Sequence, residues 1–255
     1  MKGKITIPIL FVSLLLILTC GEDNQQDLSK YIWNGDQSFW VYSVTGTNIE
    51  PYEQTTKING TETINSINCQ VFEQTISNDP SSLAKNYYTD NEKDTVNWYG
   101  TSHLTNGVED YRTTWDPVFL MFQYPFSINK TWVPFNKDGM KPTETPFLGP
   151  NMDDDDIDND GKDDNIDMRI IATVETTEDV VVPAGTFTGA YKIRYDVTII
   201  FHLTRTPYPV TGQLTYYNWY KAEVGQVKGF LNFDMPDEYN ADFEQTEELK
   251  LYELH

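Results

Sequence analysis

The chain is short of the residues that most nucleophilic and metal chemistry relies on. It has two cysteines, Cys20 and Cys69, and three histidines, His103, His202 and His255. Two cysteines allow at most one disulfide, and if Cys20 is otherwise engaged Cys69 is a lone thiol packed in a strand. A G-x-S-x-G elbow, an H-E-x-x-H zinc motif, a P-loop and a dinucleotide fingerprint are all absent, so no motif marks an enzyme and the chain reads as non-catalytic. Cationic side chains are scarce: 18 Lys and Arg stand against 39 Asp and Glu, for a net charge of -21. Such a surface repels phosphate backbones and bare anionic lipid, so nucleic acid is not an expected partner and membrane attachment requires a covalent anchor. Helical periodicity is weak throughout, and after residue 20 no apolar run is long enough to cross a bilayer.

The one long apolar run lies at the N-terminus. Lys2 and Lys4 precede an apolar stretch over residues 5–18, and a polar segment follows at once. Charge, a short apolar core and a polar sequel make a secretion signal rather than a membrane span. The residues Ile17-Leu18-Thr19-Cys20 resemble the lipobox of bacterial lipoproteins. That resemblance implies a signal peptide over 1–19, an acylated Cys20, a tether over 20–29, and an exported protein at the outer membrane or cell surface. A single domain is expected over 30–255.

Aromatics make up 14% of the chain, enough to build a core from strands. Residues 191–203 alternate apolar Tyr191, Ile193, Tyr195, Val197, Ile199, Phe201 and Leu203 with Lys192, Arg194, Asp196, Thr198 and His202. Period-2 alternation marks a strand with one buried face. Further strands are expected over 39–44, 61–74, 86–89, 96–99, 214–220, 224–233 and 248–254. Asn59-Gly60 reads as a turn before 61–74, and 119–126 as a buried strand or short helix. Long strands with short connections predict a mainly β protein, a curved antiparallel sheet or half-barrel. Residues 136–167, rich in Pro, Gly, Asn and Asp, are expected as a long inserted loop.

That loop carries D-x-D-x-D-G-x-x-D-x-x-D from Asp156 to Asp167. Calcium takes six to eight hard oxygens, and alternate residues of a tight loop aim inward. Asp156, Asp158 and Asp160 are therefore expected to converge, Gly161 to permit the turn, and the Lys162 carbonyl, Asp164 and Asp167 to complete the shell. Asp153, Asp154, Asp155 and Asp163 flank it as solvated carboxylates. The segment resembles the calcium loops of thrombospondin type 3 repeats and dockerin modules over about a dozen residues, which implies Ca2+ as a structural ligand.

V-P-A-G-T-F at 182–187, an early Gly35 followed by Phe39-Trp40-Val41-Tyr42, and Tyr220 with Gly225 and Val227 resemble motifs of uncharacterised exported bacterial lipoproteins similar to half-barrel lipoproteins. The resemblance implies a turn between two strands, with Pro183 fixing φ and Gly185 supplying a positive φ. The reading that follows is a calcium-stabilised envelope lipoprotein that binds or scaffolds. Two alternatives stand beside it. One is a carrier of a lipid or other apolar ligand. The other is a carbohydrate-binding module or weak hydrolase that presents Trp98, Tyr99, Trp115, Trp132, Tyr216, Tyr217, Trp219 and Tyr220 along a groove.

Overall fold

The computed structural model describes residues 36–47, 49–91, 94–146, 155–234 and 243–255. The signal segment, Cys20, the tether, Asp153 and Asp154 lie outside the described residues.

Twelve strands follow one another: β1 (Phe39–Gly46), β2 (Tyr52–Ile64), β3 (Ile67–Ile76), β4 (Asp79–Asn91), β5 (Thr95–Thr105), β6 (Val108–Gln123), β7 (Thr131–Met140), β8 (Asn165–Val182), β9 (Gly185–His202), β10 (Val210–Lys221), β11 (Gly225–Asp234) and β12 (Phe243–Glu253). They form one antiparallel sheet in the order β6-β5-β4-β3-β2-β1-β12-β11-β10-β9-β8-β7. The only other regular element among the described residues is a 3₁₀ turn at Pro142–Glu144.

The two edge strands, β6 and β7, are consecutive in the chain and meet again as the sheet curls. Phe119 and Phe135 stack across the seam with centroids 6.0 Å apart, and Trp132 Nε1 donates to the Leu120 carbonyl at 3.2 Å. The result is a nearly closed barrel, in agreement with the expected curved sheet. Each edge carries a proline, Pro117 in β6 and Pro134 in β7. Proline offers no N–H to a ladder and belongs on edges. The β5–β6 and β7–β8 registers both jump at these prolines. Side chains therefore close the barrel where backbone pairing does not.

Inward positions are filled by rings. Trp40, Tyr42, Tyr88, Trp98, Trp115, Phe119, Phe122, Tyr195 and Tyr220 are all buried in one cluster. Trp98 meets Trp115 edge-on at 4.9 Å and Phe119 at 5.5 Å, and its Nε1 donates to the Gly100 carbonyl at 2.7 Å. Beside the rings lies a polar belt of inward residues: Gln54, Thr56, Asn86, Asn218, Gln226 and Glu247. Gln226 Nε2 donates to Glu247 Oε2 at 3.1 Å, and Asn218 Nδ2 donates to Tyr220 Oη at 2.9 Å. Burial, with Glu247 nearby, pushes the Tyr42 phenol well above its ordinary pKa.

The structure corrects two local expectations. Asn59-Gly60 is not a hairpin turn. It is a bulge inside β2, where Gly60 adopts φ 67° and its N–H binds Asp36 at 2.7 Å. The hairpin turns instead at Asn65 and Ser66, both at positive φ. A residue pair suited to positive φ serves a bulge as well as a turn, and local sequence does not separate the two. The inserted loop is also shorter than 136–167, because β7 runs on to Met140 and β8 starts at Asn165. The segment 119–126 begins as strand, within β6.

The 182–187 motif does make a turn. Val182 pairs with Gly185, leaving Pro183-Ala184 at the tip, and Gly185 has φ 137°. The tip reaches β12, where the Ala184 N–H donates to the Leu249 carbonyl at 2.9 Å and Phe187 lies 6.2 Å from Tyr252.

Replacing Trp98 with alanine removes the ring at the centre of this packing. The expected loss is about 3–5 kcal/mol of unfolding free energy. Urea denaturation checks it: a loss below about 1 kcal/mol would show that Trp98 does not anchor the core.

Candidate functional site

The acidic loop connects β7 to β8 and is closed at its base by a backbone bond from Asp164 N–H to the Asp155 carbonyl at 2.8 Å. Asp164 is fully buried. Its Oδ2 accepts the Ile157 N–H at 2.8 Å, and its Oδ1 accepts the Thr204 N–H at 2.7 Å. Asp156 accepts the N–H groups of Asp160 and Gly161 at 3.0 and 2.7 Å, a tight turn that Gly161 permits with φ 88°. Asp158 Oδ2 accepts the Arg205 N–H at 3.1 Å, while its Oδ1 is shielded from solvent and no protein donor reaches it.

Asp156, Asp158 and Asp164 thus converge, one oxygen from each lying within 4.8 Å of the others. Three carboxylate oxygens so placed match the hard-oxygen preference of calcium. The remaining expected ligands stand differently. Asp160 accepts the Lys162 N–H at 3.1 Å and the Thr204 hydroxyl at 2.9 Å. The Lys162 ammonium lies 3.8 Å from Asp160. Asp167 is apart from the group: it is a β8 residue whose Oδ1 accepts the Gly139 N–H at 2.8 Å and whose Oδ2 contacts His202 Nε2 at 2.7 Å.

Asp155 is not a solvated flank. It accepts the Thr143 N–H and hydroxyl at 3.1 and 2.7 Å and pairs with Lys141 at 2.8 Å. Asp163, more exposed, pairs with the same lysine at 3.1 Å. Sequence spacing misses the donors that hold the loop down, Thr204 and Arg205, because they lie some forty residues downstream in the β9–β10 connection.

The expected aromatic groove is divided by the sheet. Trp98, Trp115, Trp132, Tyr216 and Tyr220 are interior filling, and Tyr99 packs on a separate small cluster with Cys69. Burial pushes the Cys69 thiol up to about 11, which suits an inert packing residue. Tyr217, Trp219 and Phe230 lie together on the outer face beside a depression of about 350 Å³ lined also by Glu178, Asp179 and Lys228. Lys192 sits 4.4 Å from the Tyr217 centroid and Trp219 Nε1 donates to Glu178 at 2.5 Å. Protein groups already use the rings' cation-binding faces and the indole donor.

No protein-family pattern and no curated protein matches the chain. Two solved structures resemble it. One is a lipoprotein candidate from Parabacteroides distasonis ATCC 8503, at 15% identity and a TM-score of 0.33, covering 86% of this chain and 96% of its own. The other is a candidate exported protein with a YmcC-like fold from Bacteroides fragilis NCTC 9343, at 13% identity and a TM-score of 0.32, covering 86% and 97%. Superposition at these scores is too loose to transfer an activity or a site.

Two contacts that fix the loop are sensitive to acid. Burial raises the Asp155 pKa, but Lys141 and Thr143 outweigh it and hold the carboxyl below its ordinary value. Burial likewise raises Asp167, but His202 and the Gly139 N–H hold it low. A carboxylate with a lowered folded pKa stabilises the fold above its unfolded pKa of about 4, and that contribution is lost as pH falls through the folded value. Thermal melts from pH 6 down to pH 2 are therefore expected to fall below about pH 4, less steeply in Asp155→Asn/Asp167→Asn. Identical slopes for the two proteins would refute the assignment.

Proposed function

We propose that the chain is an exported, lipid-anchored barrel of the bacterial envelope whose acidic loop takes one calcium ion. The ion is structural, and the barrel serves as a binding or scaffolding body. The observation that carries the calcium reading is the convergence of Asp156, Asp158 and Asp164, one oxygen from each within 4.8 Å of the others, and beside it stands the shielded, donorless Asp158 Oδ1. Three carboxylates this close repel one another, and a divalent cation among them removes that repulsion. Asp156, Asp158 and Asp164 are the holding residues, and Asp160 beside them is a further oxygen source. Export and anchoring at Cys20 rest on the N-terminal signal. An envelope location supports the calcium reading, because extracellular modules function with Kd values on the order of 10⁻⁴ to 10⁻³ M.

A filled interior weighs against the apolar-carrier reading. The largest inward side chains are rings at almost zero exposure, packed on one another. For sugar binding, the outer patch of Tyr217, Trp219 and Phe230 offers aromatic surface, but lysines occupy its ring faces.

Isothermal titration of the domain with calcium is expected to give one site. Asp158→Asn with Asp164→Asn is expected to abolish it while the barrel still melts cooperatively. At a hundredfold excess over Kd the ion should add about 2.7 kcal/mol of stability. Equal heats in wild type and variant would refute the site. Intact mass measurement on protein extracted from its own envelope is expected to show an acylated Cys20 as first residue. An N-terminus at any other position without acyl mass would remove the anchor and leave export.

A further inference from the structure

Motif scanning finds no nucleophile in this chain, yet the fold assembles one from three adjacent strands. Ser82 Oγ lies 2.6 Å from His103 Nε2, and His103 Nδ1 lies 2.8 Å from Asp110 Oδ2. Ser82 is near the start of β4, His103 near the end of β5 and Asp110 near the start of β6, so the three sit at one mouth of the barrel beside the Asn106-Gly107 turn. Ser82 belongs to the inward alternation Ser82, Ala84, Asn86, and His103 pairs with Ala84. His103 is part-buried, with 22% of its side chain exposed.

Register irregularities flank the outer members. Thr75 pairs with Leu83 but Ile76 with Asp79, so Pro80, Ser81 and Ser82 are extra residues relative to β3. His103 pairs with Tyr111 but Leu104 with Glu109, so Asp110 is an extra residue relative to β5. The second re-aims Asp110, which regular alternation would send to the face opposite His103 and Tyr111, whereas Ser82 keeps its alternation against β5.

Protonation follows from the partners. Thr105 and His103 donate to Asp110 and hold its carboxyl below the ordinary range, so it is ionised near neutrality and can only accept. Nδ1 of His103 therefore carries the imidazole proton, and Nε2 presents its lone pair to the Ser82 hydroxyl. Tyr111 stacks on the imidazole with centroids 5.6 Å apart and planes 8° apart, which fixes the ring. This is the arrangement in which a weak hydroxyl nucleophile is activated by a base that a third group orients.

We propose that Ser82 is an activated nucleophile, with His103 as its general base and Asp110 as a positioning residue, acting on small exposed esters at the barrel mouth. The Ser82 oxygen bonds to the ester carbonyl carbon as its proton passes to His103 Nε2, and the carbonyl electron pair moves onto oxygen. Collapse re-forms the carbonyl and breaks the bond to the alkoxide, which takes the proton from Nε2 and leaves as alcohol. Water, deprotonated by His103, then attacks the acyl carbon. The acid leaves and Ser82 recovers its proton. The proposal goes beyond the binding and scaffolding reading and does not depend on the calcium loop.

A fluorophosphonate probe tests it, applied to the full exported domain with and without EDTA. Attack at phosphorus breaks the P–F bond, and fluoride leaves with the serine proton. The expected result is one adduct per chain, mapped by peptide mass spectrometry to Ser82 and unaffected by EDTA. The labelling rate should fall by about 10²-fold or more in His103→Gln, the range for loss of a general base. Asp110→Asn should slow labelling while an unchanged thermal melt shows that the fold is retained. Hydrolysis of p-nitrophenyl acetate should be lost in Ser82→Ala. No adduct on the folded wild type, or equal rates in wild type and His103→Gln, would overturn the proposal.

Discussion

An eight-stranded barrel is just wide enough for ordinary side chains to fill. Twelve strands enclose more space, and the backbone cannot shrink to match. This chain meets that constraint with rings. Trp40, Trp98, Phe119, Phe122, Tyr195 and Tyr220 fill the interior layer by layer, and Tyr195 stacks on Tyr216 at 4.4 Å. The seam between β6 and β7 depends on the same filling, because the two strands end the pairing order and Phe119 stacks on Phe135 across it. The polar belt follows as well. Gln226, Asn218 and Glu247 crowd round Gly229, where an added Cβ would meet Gln226 Nε2 at 3.0 Å. Amide and carboxylate groups thus occupy space that rings leave; Gln226 bonds to Glu247 between β11 and β12, and Asn218 bonds to the Tyr220 hydroxyl.

The acidic loop is held by the barrel rather than by its own spacing. Thr204 and Arg205 supply backbone donors to Asp164 and Asp158. Lys141, at the end of β7, draws in Asp155 and Asp163. An electrostatically strained loop is thereby fastened at both ends to strands whose pairing is set elsewhere. A cation among Asp156, Asp158 and Asp164 would thus meet carboxylates already held in place by these contacts, the setting of a structural ion rather than of a switch.

The period-2 pattern of 191–203 was legible because both faces of β9 are uniform, core on one side and solvent on the other. Asp156 and Asp158 were legible as a converging pair because tight-turn geometry is local, but the third member is Asp164 and not Asp160, since Thr204, far along the chain, takes part in holding both carboxylates. Asp167 was not: spacing counts it as the last acid of a loop, but β8 starts at Asn165, and His202 on the neighbouring strand takes its carboxylate. Asn59-Gly60 misled for a related reason, since positive φ serves a bulge or a turn and only the partner strand decides which. The eight groove aromatics divided between interior and outer face because residue type reports ring content and not facing. Edge position was written in Pro117 and Pro134, yet that the two edges meet is a property of the whole curl.

Bulges connect these points. A sheet this wide closes only if strands bend, and bulges bend them. Register shifts occur in most of the strand pairs, including β1–β12, β2–β3, β3–β4, β4–β5 and β5–β6. Each one removes a residue from strict alternation and frees its side chain from the choice between core and solvent. Asp110 is one such residue, extra relative to β5 and turned toward His103, while Ser82 keeps its regular pairing with Thr105. The same irregularity that lets the barrel curl therefore brings Asp110 to Ser82 and His103 at its mouth. Because it breaks the alternation that sequence reading relies on, it also hides Asp110 from any motif.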